Sequence, residues 1–417
     1  MRVLSVVYDL DIGGTQRAAV DFANAYHALG HESALLALDD SGSRRKDLLP
    51  QVSLVSTSEV LDAGISPQPD LIHIHGHGVT NDLVRELRER YPDSLLVEQN
   101  VFAKVNPWNA FLDRTFLFSD WCLSQYEREP NRKAATALVP NPIEPANFFP
   151  DALSRQQFRH RLGIPERAFV VGRVGQPLIG KWSVTLLRAF ESLLAENTDA
   201  WLLLVGPPRE ILEAVESSIA KARTVVVERV EEDSELRGLY NAMDLLGHVA
   251  SQGETFGYVL VEAALCGVPA ITLSTPWADN SQGEIVGHEV GGLVATTTRG
   301  FVRAMRKMAN QPELRHRYGT SARESALARF DSVTVAKSAL DVVAIRKEEP
   351  APASQELIRE YRRAIDPAGV FRGLLFRARL FDALAVASGE KSFVWWVRRT
   401  LNKRGISRHM LKSDKGR

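Results

Sequence analysis

The sequence predicts an α/β protein of two domains, each built on a doubly wound parallel sheet, followed by a basic helical extension. Three observations carry this. Short, nearly unbroken apolar runs alternate with helical patterns as far as about residue 345, and strands covered by helices on both faces read that way. A chain of 417 residues is too long for one ordinary core. A proline-dense stretch, Val139-Pro140-Asn141-Pro142-Ile143-Glu144 and then Asn147-Phe148-Phe149-Pro150, divides it. The expected divisions are 1–145, 146–330, a helix over 331–346 and the extension 347–417.

Composition agrees with a globular chain, at 45% hydrophobic and 24% charged. The only cysteines, Cys122 and Cys266, lack metal-ligand spacing and suit a reducing cytosol. Met1 to Asp9 reads as a first buried strand and not as a signal peptide. No apolar run is long enough to span a bilayer, so no membrane span is expected. The net charge of zero is uneven: residues 351–417 hold 15 Lys+Arg against 6 Asp+Glu, a net +9, which leaves −9 on the remainder. A basic tail on an acidic body implies an anionic partner for the tail.

Strands are expected at 2–8, 33–38, 71–75, 94–99, 115–118 and 137–139, with helices near 15–29 and 79–90. The first strand leads into Asp11-Ile12-Gly13-Gly14, where two glycines permit close backbone approach to a ligand or form a plain tight turn. The pattern is not Gly-x-Gly-x-x-Gly, so a dinucleotide site is not expected. Asp70 to His77 is a strand with three histidines at its end, and alternation puts His73, His75 and His77 on one side. Ligands along one extended strand rarely converge on a single ion, so core hydrogen bonding is the plainer reading. Val97-Glu98-Gln99-Asn100 ends a strand toward the cleft, and loop 101–112 is a candidate for the acceptor side.

The second half opens with Ala168 to Pro177, read as a strand then a turn, followed by Gly180-Lys181 and a helix through Leu194. Arg173 at a strand end with Lys181 downstream can neutralise a diphosphate, although such residues near a turn are commonly surface charges. Strands at 201–206 and 225–230, a helix at 234–243 and a strand at 244–249 follow. Then comes Ser251-Gln252-Gly253-Glu254-Thr255-Phe256-Gly257-Tyr258-Val259-Leu260-Val261-Glu262, read as loop and helix with the helix starting near Tyr258. Such a loop leaves amide N–H groups free at the helix start, which suits a phosphate. Glu254 in the loop and Glu262 one turn into the helix can face one ligand. Gly267-Val268-Pro269 ends that helix. The helix over 331–345 has an apolar stripe at Val335, Ala339, Val342 and Val343. In the extension, Phe371, Phe376, Phe381, Trp395 and Trp396 lie among arginines. That pattern suits an anionic bilayer face, or else a helix packed on the body. No nucleic-acid module accompanies the charge.

The glutamate stretch with Phe256-Gly257 inside it and Ala263-Ala264-Leu265-Cys266-Gly267-Val268-Pro269 behind it resembles the signature of the family-4 retaining glycosyltransferases, glycosyl transferases group 1. The resemblance also takes in Gly13-Gly14 with the following Gly30-His31-Glu32, the Asp70-x-x-His73-x-His75 strand, Gly172-Arg173…Lys181, and Gly283-Glu284-Ile285-Val286. It covers residues 1 to about 346 and implies a GT-B fold, two Rossmann-like domains facing across a cleft, with the helix at 331–346 crossing back to the first. Two departures stand out: Pro142 replaces the family's linker glycine, and the interval from Arg173 to Lys181 is longer than usual.

The resemblance implies a nucleotide-sugar-dependent transferase, with a UDP- or GDP-sugar as donor and a glycan, lipid-linked molecule or small molecule as acceptor, in polysaccharide biosynthesis. By it, Glu254 and His75 contact the donor sugar, Arg173 and Lys181 the diphosphate, and Glu262 the ribose. Gly13, Gly14, Phe256, Gly257, Tyr258 and Val259 surround the phosphates, and Val230 lies at the base. No metal and no separate cofactor are expected, and the reaction is expected to occur on one sugar face with retention. A cytoplasmic protein is expected, with 351–417 as a candidate membrane contact. The rival readings are a sugar-nucleotide epimerase of the same fold and a non-catalytic nucleotide-sugar-binding subunit.

Overall fold

The computed structural model describes residues 1–344 apart from His77 and Trp277; the expected extension 347–417, the end of the 331–346 helix and the third histidine of the strand motif lie outside the described residues. Two parallel sheets account for all the strands among the described residues. The first contains β1 (Arg2–Val7), β2 (Glu32–Ala37), β3 (Ser53–Val55), β4 (Leu71–His75), β5 (Leu95–Gln99), β6 (Arg114–Leu117) and β7 (Ala135–Leu138). The second contains β8 (Phe169–Val174), β9 (Ala200–Val205), β10 (Thr224–Val227), β11 (Leu245–His248), β12 (Ala270–Leu273) and β13 (Gly292–Ala295).

Their spatial orders are β3-β2-β1-β4-β5-β6-β7 and β10-β9-β8-β11-β12-β13. Both sheets reverse direction of winding beside their first strand, between β1 and β4 and between β8 and β11. Ligands of open α/β sheets sit beyond the carboxyl ends of strands at such a reversal. The expected strands match these within a few residues, except that β10 stops at Val227, short of Val230. It is an edge strand, half-buried, and beyond its end Arg229 and Val230 line the cleft.

The helices of the first sheet are α1 (Gly14–Ala28), α2 (Asn81–Arg90) and α3 (Asp120–Tyr126). Those of the second are α4 (Ala152–Arg161), α5 (Val184–Leu194), α6 (Arg209–Glu216), α7 (Asp233–Ala242), α8 (Tyr258–Leu265), α9 (Gln282–Val286), α10 (Thr298–Asn310) and α11 (Pro312–Phe330). The last, α12 (Ser332–Ala344), returns to the first sheet. Its apolar stripe, Val335, Ala336, Ala339 and Val343, packs with Ala18, Phe22 and Tyr26 of α1 and Val97 of β5 in one buried cluster. The other face of the first sheet buries Leu4, Ile72, Ile74 and Leu96 under Val84 and Leu87 of α2. In the second sheet, Val171, Leu202 and Ile271 pack beneath Phe190 of α5 and Phe301 and Met305 of α10.

Polar contacts join the two halves on the α3 side. Ser119 Oγ lies 2.7 Å from Ser281 Oγ, and the Asp120 amide donates to Glu284 Oε1 at 3.1 Å. Among the described residues no helix is long and apolar enough to cross a membrane.

Candidate active site

The residues singled out from sequence meet in one place. Gly13, Gly14, His75, Arg173, Lys181, Val230, Glu254, Phe256, Gly257, Tyr258, Val259 and Glu262 all line a single cavity of about 410 Å³ between the two sheets. Gly13 and Gly14 follow β1, His75 ends β4, Arg173 belongs to β8, and the glutamate loop follows β11. These are the four strands at the two winding reversals.

The glutamate loop is shaped by its glycines. Gly253 has φ +69°, and a Cβ there would stand 1.6 Å from the Asp279 carbonyl oxygen. Gly257, the residue before α8, has φ +95°, a left-handed conformation that L side chains rarely adopt. Between them Glu254 is buried, with its backbone held on both sides. Its amide donates to Gln282 Oε1 at 3.2 Å, and its carbonyl accepts from the Ser281 amide at 2.9 Å. Oε2 accepts from Lys181 Nζ at 2.6 Å, and Oε1 lies 3.3 Å from His248 Nε2. Burial alone would raise this carboxyl. The Lys181 charge and the His248 hydrogen bond outweigh it and hold the pKa down at about 2, so Glu254 is an anion throughout the neutral range.

Arg173 is buried under the same loop. Its two terminal nitrogens donate at 2.6 Å to the Val174 and Lys181 carbonyls, and the guanidinium stands 5.3 Å from the Trp182 ring centre. Burial lowers its pKa to about 10 against the pull of Glu254, which leaves it cationic at pH 7. The resemblance implied a guanidinium that forks diphosphate oxygens. In the structure Arg173 instead uses part of its donor set to fix the loop carrying Lys181, and Lys181 is the more exposed of the two cations, its side chain 35% accessible.

Glu262 is not free. Oε1 is paired with the Arg17 guanidinium and Oε2 accepts from the Tyr240 hydroxyl at 2.6 Å. Arg17 comes from α1, so this buried ion pair spans the crevice, and its second terminal nitrogen pairs with Asp233 of α7. Lys46 and Glu232 pair across the same edge. Arg229 Nη2 donates to the Ile12 carbonyl at 3.0 Å. Burial raises the Glu262 pKa, with Arg17 and Tyr240 opposing. Tyr258 approaches Gly14 closely enough that a Cβ there would stand 3.2 Å from its ring, and its hydroxyl donates to the Pro142 carbonyl at 3.2 Å.

On the first-sheet wall, His73 and His75 lie side by side, ring centres 4.4 Å apart, as strand alternation requires. His73 Nδ1 is 3.0 Å from the Tyr26 hydroxyl in the core. Burial lowers its pKa to about 3, so it is neutral. His75 lines the cavity, and neither of its ring nitrogens has a hydrogen-bond partner among the described residues. Gln99, its register partner on β5, donates through Nε2 to the Val139 carbonyl and Asn141 Oδ1. Glu98, on the opposite face of β5, is wholly buried. It accepts from Trp108 Nε1 at 3.1 Å, Asn100 Nδ2 at 3.3 Å and Asn106, all in the loop whose Val101 and Phe102 line the cavity. Burial raises its pKa to about 7 against those three donors.

Sequence reasoning missed Arg17, Tyr240, Asp233, His248 and the anchoring role of Glu98. Arg17 sits one turn into the helix after the glycine loop, a charged residue buried beside Gln16 in a run of Ala18, Ala19 and Val20. That placement was a readable signal. The others depend on long-range pairing and had none. Among the described residues no group of three or more His, Cys, Asp or Glu is arranged to hold a metal ion. Arg173, Lys181 and the first turn of α8 are among the groups lining the cavity that could hold a diphosphate.

Comparison with known proteins agrees with this geometry. Residues 154–325 match the family model described as glycosyl transferases group 1. The chain is similar to D-inositol 3-phosphate glycosyltransferase of Stackebrandtia nassauensis, 32% identical over 203 residues and covering 43% of each chain. It is also similar to the protein of the same name from Kineococcus radiotolerans, 30% identical over 262 residues, or 58% of this chain and 54% of that one. N-acetyl-alpha-D-glucosaminyl L-malate synthase of Bacillus anthracis is 28% identical over 209 residues, 49% of this chain and 51% of that one. The chain thus spans about half the length of the curated relatives it matches. Among solved structures, Anabaena Alr3699/HepE in complex with UDP-glucose superposes with a TM-score of 0.67 at 18% identity, over 82% of this chain and 99% of that one. WaaG, a glycosyltransferase involved in lipopolysaccharide biosynthesis, gives 0.59 at 19% identity over 82% and 99%. The chain has the GT-B fold, and residues 154–325 of its second domain match the glycosyl transferases group 1 model.

Proposed function

We propose that the chain transfers a sugar from a nucleotide-sugar donor to a hydroxyl-bearing acceptor with retention of anomeric configuration, and that the departing diphosphate is stabilised by protein groups without a metal ion. The observation that carries this reading is the meeting of Lys181, Arg173 and the first turn of α8 on one wall of a crevice whose other wall presents His75. Charge grows on the diphosphate oxygens as the glycosidic bond breaks. Fixed cations and amide dipoles aimed there lower the barrier without reorganising. Glu254 is always ionised and acts only as an acceptor, which suits sugar hydroxyls and not proton transfer. By the resemblance Glu262 would meet the ribose, but Arg17 and Tyr240 already hold its two oxygens. A ribose hydroxyl would therefore donate to a remaining lone pair or displace Arg17. His75, neutral and unpartnered, would meet the sugar near its reactive carbon. The leaving phosphate oxygen then takes the acceptor's proton on the same face.

The test uses the pure full-length chain with a panel of UDP- and GDP-sugars in chelator, read by thermal shift and by release of nucleoside diphosphate over an acceptor panel. A donor at 100 times its Kd adds about 2.7 kcal/mol of stability. No stabilisation by any nucleotide, or release that needs an added divalent ion, would overturn the proposal.

A further inference from the structure

Glu254 is braced from behind by two residues outside the glutamate motif. β11 and β12 pair in parallel with His248 opposite Thr272. Neighbouring strands run about 5 Å apart, so side chains of paired residues on one face meet. His248 Nδ1 lies 3.2 Å from Thr272 Oγ1, and Nε2 lies 3.3 Å from Glu254 Oε1. His248 and Thr272 are both wholly buried. A carboxylate can only accept, so the ring proton is on Nε2. Nδ1 then holds a lone pair, and among the described residues the Thr272 hydroxyl is the group placed to donate to it. The opposite tautomer would set the Nε2 lone pair against a carboxylate oxygen.

We propose that His248 is a positioning residue: held in the Nε2–H tautomer by the Glu254 carboxylate and steadied at Nδ1 by the Thr272 hydroxyl, it fixes the Glu254 carboxylate so that its unused lone pairs face a hydroxyl-bearing ligand in the cavity. Lys181 holds the second oxygen, and Gln282 and Ser281 hold the backbone, so the group has little freedom left. Burial keeps the ring neutral, its pKa lowered to about 4, and the contact remains a hydrogen bond at physiological pH. The site therefore favours a sugar that presents a neutral hydroxyl to this wall and disfavours one that presents a carboxylate. Naming the ligand a sugar rests on the function proposed above; the tautomer does not.

Long-range ¹⁵N–¹H spectra of the full chain at pH 7, with the His248 ring assigned by comparison with His248→Gln, decide the point. Wild type, Thr272→Ser and the nearly isosteric Thr272→Val are all expected to show a neutral Nε2–H ring, with the Nδ1 signal of Thr272→Val alone moved by loss of its donor. Transfer turnover is expected to fall about tenfold in Thr272→Val and to recover in Thr272→Ser, with the Kd for UDP unchanged in both. An Nδ1–H or cationic ring in wild type overturns the inference. So does a Thr272→Val chain that folds and matches wild type in ring signal and turnover. Absence of transfer by the wild-type chain with the expected ring signal would instead overturn the proposed activity.

Discussion

On the second-sheet wall of the crevice, Glu254 has a donor on each carboxylate oxygen and a partner on each backbone polar group. On the first-sheet wall, both ring nitrogens of His75 and Gln99 Oε1 are buried without a hydrogen-bond partner among the described residues. A buried polar atom left unpaired costs about 1–3 kcal/mol, so the contrast is energetically expensive to maintain. It teaches a division of labour. Arg173 Nε apart, which is buried without a partner among the described residues, one wall is pre-set and spends its polar groups on itself, as a site that must stabilise charge does. The other keeps polar capacity for something that enters the cavity.

The largest effect should come from breaking the pre-set wall. Glu254→Gln and Lys181→Ala are each expected to lower kcat by about 10²–10³-fold, the cost typical of removing one fixed electrostatic group. Circular dichroism and melting should be near wild type. Retained turnover in both would dissolve the distinction between the walls.

Next is the clasp across the crevice. Arg17→Met removes the shared cation of Glu262 and Asp233 and leaves two carboxylates facing each other. Breaking a buried pair from one side costs about 3–5 kcal/mol, visible as a lower denaturant midpoint. An unchanged midpoint would mean that the halves do not rely on this contact.

His75→Leu sharpens the comparison from the other wall. The histidine has no partner to lose, so folding stability should stay within about 1 kcal/mol of wild type or rise, while turnover falls. A large loss of stability would show that His75 is a core residue like His73.

The smallest effect is a pH slope. The Glu98 pKa is raised in the fold to about 7, so the folded state binds its proton more tightly than the unfolded chain does. Its stabilising contribution is full below the unfolded carboxyl range and is lost as pH rises toward 7. Stability of wild type relative to Glu98→Gln should therefore decline from about pH 5 to pH 7 in urea melts; parallel curves would remove the effect.

Much of this molecule can be read from its residues. Long apolar strands such as Leu71–His75 and Phe169–Val174 announce themselves by composition, and the glycine-bounded glutamate loop by its order of residues. β3 could not be read in the same way, because three half-exposed edge residues carry too little pattern. The overrun at Val230 has a similar origin, since an edge strand ends where its neighbour stops offering hydrogen bonds. All twelve sequence-derived residues line one cavity because each motif sits at a strand end, and topology collects strand ends. What holds those residues is less legible. His248 is matched to Thr272 by sheet register, and Arg17 reaches Glu262 only when the halves meet. Neither relation has a local signature.

The central claim is that fixed protein charges let the sugar leave and be captured on one face. It is tested most directly by ¹H NMR of the first-formed product, made in chelator from an α-linked nucleotide sugar that the chain turns over. The account predicts an α-anomeric proton coupling in that product and a rate unchanged by chelator. A β product, or a reaction that stops until a divalent ion is returned, would contradict it.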